Sequence, residues 1–156
     1  MLDLPCTRLF GGMSGLFGIA LSFGVIQLRA TKGIGMGDGG NALLARRIRG
    51  HANFMENAPL TLLLLAVCES TQACPSWGLY TLGSIFLSGR LAHGYAFWNE
   101  TPFMLGRIFG IGSTFTVQCY LSMFCVGGAN ATTVTIASVA STAIGITRVL
   151  MKKESP

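Results

Sequence analysis

Arg49, His51, Asn53, Glu56 and Asn57 lie in the stretch RIRGHANFMENAPLTLLLL, whose second half is apolar enough to enter a bilayer. On a helix Arg49, Asn53, Glu56 and Leu60 follow the i, i+4, i+7, i+11 spacing and share one face. Ionisable groups at membrane depth are costly unless they face a bundle interior or a wet cavity, so this face is a functional-site hypothesis. Arg90, His93 and Phe97 share a helical face near the end of another apolar run, and Arg107 stands in the first turns of the next. Several arginines and one carboxylate at one depth suit a small, multiply charged anion that also has an amine. Guanidinium forks grip carboxylates in bidentate fashion, and Glu56 could hold an ammonium group or orient an arginine. An arginine beside a thiol would favour the thiolate, which is the nucleophilic form.

The positions of these residues depend on the apolar runs around them. The chain is 51% hydrophobic and 11% charged, against about 25% charged in soluble domains, which predicts a membrane protein. The net charge of +5 is carried by basic residues at the ends of apolar runs. That pattern sets membrane orientation and argues against nucleic acid as a partner. Cys6, Cys68, Cys74, Cys119 and Cys125 contain no CxxC pair, and they read as small hydrophobes; no metal site is expected. Arg90 and Arg107 taken singly also fit interfacial anchors that snorkel to water, and Arg29, Arg46 and Arg47 fit topogenic charges.

In chain order, residues 9–28 are free of charge and match the length of a span, without a clear small-residue cleavage site. Gly11, Gly15, Gly18 and Ser22 form a small-residue stripe expected to face protein. Residues 29–41 form a basic, glycine-rich loop; Gly35, Gly37 and Gly40 fit GxGxxG, but they follow an apolar helix and not a strand. The positive-inside rule turns this loop to the cytoplasm. A second helix is expected over 42–70 with its span at 50–70, bent at Pro59. The remaining spans are expected at 77–98 and 105–126. An all-α, integral-membrane four-helix bundle over 1–128 follows, with an additional apolar helix and basic tail over 129–156. A partly embedded or folded-back tail is the alternative.

The chain resembles the MAPEG family, the membrane-associated proteins of eicosanoid and glutathione metabolism. The resemblance rests on RIRGHANFMENAPLTLLLL, GRLAHGYAFW, Arg107 and the GDGG loop, and covers roughly residues 9–126. It implies a homotrimer of four-helix subunits that binds glutathione between neighbouring subunits near the cytoplasmic side. The implied glutathione ligands are Arg29, Arg49, His51, Asn53, Glu56, Arg90 and His93. Arg107 is the implied catalytic residue, which stabilises the thiolate. Phe97 stands where relatives that bind glutathione tightly often have a tyrosine, and Asn57 replaces a tyrosine common after the glutamate.

The resulting expectation is a glutathione-dependent membrane transferase or peroxidase with glutathione as co-substrate. Its second substrate would be a lipophilic electrophile or hydroperoxide reaching the site from membrane lipid. The rival expectation is a non-catalytic lipid-binding or scaffold subunit of a membrane assembly.

Overall fold

Pro5 starts the first helix, where its missing N–H costs nothing. The cap comes from far along the chain: the backbone N–H groups of Cys6 and Thr7 each donate to the Glu69 carboxylate at 2.8 Å. Glu69 thus satisfies two of the orphan donors of that helix start and ties it to the end of the second helix. The computed structural model describes residues 3–101 and 103–127 of the chain and contains four helices: α1 (Pro5–Lys32), α2 (Ala42–Ser70), α3 (Ser76–Trp98) and α4 (Met104–Gly127).

Gly33 ends α1 at φ 67°, a left-handed conformation that glycine adopts without a Cβ penalty. The Asn41 side chain opens α2 by accepting the Leu44 N–H at 2.9 Å. Pro59 lies inside α2, which runs through it as one helix. The glycine-rich loop between α1 and α2 is therefore bounded by an αL cap on one side and a side-chain cap on the other.

The helices run up and down, with α1 and α4 flanking the α2–α3 pair. Their core includes Phe10, Phe54, Leu65, Phe86, Val117 and Leu121. Glycines set the close approaches: Gly83 admits the Phe10 ring, Gly94 the Phe17 ring, and Gly89 the Ser113 hydroxyl. The α1 and α4 helices are each long and apolar enough to cross a membrane by length and composition.

Most of the candidate polar residues lie on α2 and α3, and α4 adds Arg107, so these three packed helices position the chemistry.

The α1 stripe departs in part from expectation. A Cβ at Gly18 would fall 3.1 Å from the Phe54 ring, but a Cβ at Gly11 or Gly15 would touch nothing within 4 Å among the described residues. The stripe instead lines an apolar groove of about 470 Å³ between α1 and α2, with His51, Phe54 and Met55 across it. The expected additional helix and tail over 129–156 lie outside the described residues.

Candidate functional site

Arg90 is the deepest charge in the bundle, 1% exposed on α3. A guanidinium tolerates such burial only if its donors find acceptors. Its Nη1 donates to Asn53 Oδ1 at 2.9 Å, and its Nη2 to the Gly110 carbonyl at 2.7 Å. Its Nε is buried and has no hydrogen-bond partner. Arg90 therefore joins α2, α3 and α4, and its Nε–H is left to offer. Among the described residues no carboxylate lies within ion-pairing reach of it.

Gly110 makes the α3–α4 junction possible. Its carbonyl also accepts the hydroxyls of Thr114 at 2.7 Å and Ser113 at 3.2 Å. A Cβ at this position would fall 2.5 Å from His93 Cβ and 2.7 Å from the Gly89 carbonyl. Gly110→Ala is therefore expected to push α4 away from α3 at a cost of about 1–3 kcal/mol. Thermal unfolding in detergent checks this, since a melting temperature equal to that of the unsubstituted chain would show that the junction is loose.

His93 is buried one turn below Arg90 on α3, and its ring lies 4.9 Å from that of Phe97. The Arg107 guanidinium sits over the other partner of this stack, 4.9 Å from the Phe97 ring centroid. The Arg107 Nε is also buried and without a partner. Phe97 is thus the platform that holds Arg107, and Gly50 on α2 leaves room for it, because a Cβ there would meet Phe97 Cβ at 2.8 Å.

Arg49 and Glu56 lie on the outer side of α2, more than half exposed, and pair with each other at 3.3 Å. An exposed pair of this kind contributes little stability. Arg49, Arg90 and Arg107 all lie within electrostatic reach of the His93 imidazole.

Arg49, Asn53, Glu56, Arg90, His93 and Arg107 are thus brought to one end of the bundle, while two predicted residues face elsewhere in the same chain. His51 lines the α1–α2 groove. Arg29 donates to the Gly35 carbonyl at 3.1 Å and braces the loop after α1.

Arg46 and Arg47, read from sequence as topogenic charges, have structural work that spacing does not reveal. Arg46 donates to the carbonyls of Ala96 at 2.8 Å and Glu100 at 3.1 Å, so it closes the end of α3. Arg47 lies 4.4 Å over the Trp98 ring and donates to the Gly24 carbonyl at 3.1 Å. The Ala96 carbonyl that Arg46 binds, and the Trp98 carbonyl that Arg47 Nε reaches at 3.4 Å, are orphan carbonyls at the end of α3, which favour cations. Gln118 was also missed: its amide donates to Thr61 Oγ1 at 3.0 Å and to the Asn57 carbonyl at 3.3 Å. The sole sequence signal for it was a lone amide in an apolar helix.

Such a bundle, with long apolar helices and a polar cluster toward one end, has the build of an integral membrane protein. The MAPEG family model matches residues 8–127, and the chain belongs to that family. It is also 35% identical over 94 residues to Inner membrane protein YecN of Escherichia coli, from two strains, covering 60% of this chain and 71% of the relative. No solved structure matches it. Membership places the chain among multi-pass membrane proteins of a family concerned with glutathione and eicosanoids, one that includes glutathione transferases and peroxidases.

Proposed function

We propose that the protein is a glutathione-dependent transferase or peroxidase whose lipophilic second substrate arrives from the bilayer. The observation that carries this reading is the charge at the site. Arg90 and Arg107 lie around His93 and Phe97, and Arg49 pairs with the one carboxylate of the cluster, Glu56. The buried Nε donors of Arg90 and Arg107 are unused. Glutathione as its thiolate has two carboxylates, one ammonium and one sulfur anion, so it matches a site with three guanidiniums and one carboxylate in number and sign.

In this reading Glu56 takes the ammonium group, Arg49 and Arg90 take carboxylates, and Asn53 and His93 orient the peptide. Arg107 lies beside the thiolate. The thiolate attacks an electrophilic carbon, or the outer oxygen of a hydroperoxide, while the guanidinium holds the sulfur in its reactive form. Arg29 and His51 face away from this cluster within the chain. We assign them to the site of a neighbouring subunit in a homotrimer, so that two copies enclose one glutathione.

The non-catalytic reading has its own support: the Arg49–Glu56 pair closes on itself, and the Asn57 amide is used by the Asn53 carbonyl at 2.9 Å. Calorimetry with glutathione on the detergent-purified protein separates the two, with oligomer size checked in parallel. Binding that weakens about 10- to 100-fold in Glu56→Ala, the loss of one charged hydrogen-bond partner, is the expected result if the trimer survives. No heat at millimolar glutathione would overturn the enzyme reading and turn the search to lipid or partner-subunit contacts.

A further inference from the structure

The end of the bundle remote from the arginines carries a second set of reactive groups. Cys68, one turn before the end of α2, is fully buried, while Cys125 near the end of α4 is exposed. Their sulfurs lie 3.5 Å apart. The Cys68 thiol also reaches the Leu121 carbonyl at 3.4 Å, which aims it along α4. Cys6 and Cys74 are buried at the same end, where Glu69 ties α1 to α2. Burial raises the pKa of the Cys74 thiol, which keeps it protonated and a poor nucleophile.

We propose that Cys125 and Cys68 form a thiol–disulfide exchange site that accepts low-molecular-weight disulfides and closes to a bridge between α2 and α4. The pair has the required asymmetry, with one sulfur that a reagent can reach and one that only its neighbour can reach. A bond needs the sulfurs at about 2.05 Å, a closure of about 1.5 Å from their present separation.

The exchange balances without any other reactant. Cys125, after losing its proton to solvent, attacks one sulfur of the small disulfide and expels the other half as a thiolate, which takes up a proton. Cys68 then attacks Cys125 Sγ and expels the second half; its proton goes to that leaving sulfur. One small disulfide is reduced to two thiols, and the two cysteines are oxidised to a bridge. By the positive-inside rule this end lies opposite the basic loop, on the non-cytoplasmic side where disulfides persist. The inference does not depend on glutathione binding at the arginine cluster.

The test uses 2,2′-dipyridyl disulfide on the full-length protein in detergent, with exposed Cys119 replaced by serine. Two pyridinethiones released per chain, a product lighter by two hydrogens and a peptide joining 68 to 125 are the expected results. Adding Cys68→Ser should leave one pyridinethione and a retained pyridylthio adduct on Cys125. Adding Cys125→Ser should abolish release. A stable adduct on Cys125 while Cys68 is present, or a bridge to another cysteine or between chains, would overturn the proposal. The Cys119→Ser chain, which keeps both Cys68 and Cys125, decides the matter alone, so a poorly folding Cys68→Ser variant does not weaken the test.

Discussion

Arg107→Ala is expected to lower glutathione-dependent turnover by about 10²–10³-fold, the usual cost of removing one donor aimed at a developing or reacting anion. The bundle should remain folded. Arg107 is only partly buried, and its visible partner is the Phe97 ring at 4.9 Å, a contact of modest strength. Its effect should therefore fall on chemistry more than on assembly. The sign of the pH effect follows from the charge. A guanidinium beside the thiol favours the thiolate and lowers the thiol pKa by about 1–3 units, so its removal moves the rising limb of the rate–pH profile upward by that amount. Activity of the variant should then recover partly at high pH. Arg107→Lys keeps a charge but loses the planar fork that stacks on Phe97, and should sit between the two. A profile that falls uniformly at every pH would assign Arg107 a structural role instead.

The α2 face was legible because polar residues in an apolar context have few explanations, and their 3.6-residue spacing fixes which of them point together. The same arithmetic puts His51 on another face from Asn53, two residues later, and the structure has it lining the α1–α2 groove. What spacing could not supply was the register between helices. Asn53 and Arg90 meet across 37 residues of sequence, and Arg46 reaches Ala96 across 50. These contacts exist because Gly50, Gly89 and Gly110 let particular backbones approach. A glycine in a membrane helix announces a close approach without naming the partner. Gly11 and Gly15 show the other side of that ambiguity, since they belong to a small-residue stripe yet a Cβ on either would meet nothing within 4 Å among the described residues. The cysteines were equally opaque: Cys68 and Cys125 lie 57 positions apart and meet only through the packing of α2 on α4.

Arg90→Met should be the more instructive substitution, because counting its hydrogen bonds predicts the wrong outcome. By that count, losing two charge-assisted bonds at about 1.5–3 kcal/mol each would unfold a marginal membrane bundle. The partners, however, are not left bare. The Gly110 carbonyl keeps the hydroxyls of Thr114 and Ser113, and Asn53 is only half-buried. Against the lost bonds stands the cost of a fully buried cation with an unused Nε and, among the described residues, no carboxylate within reach. Replacing a buried charge by an apolar chain of similar length is often neutral or stabilising when its partners stay satisfied. We therefore expect Arg90→Met to melt within about 1 kcal/mol of the unsubstituted protein without ligand, yet to lose glutathione binding by about 100-fold or more. The expected signature is in the difference: glutathione should raise the melting temperature of the unsubstituted protein through its preference for the folded site and leave the variant unmoved. Collapse of the ligand-free variant would show instead that Arg90 is there to join the helices. Stability retained with binding lost would mean that the bundle carries an unneutralised charge in its interior for the sake of the anion it holds.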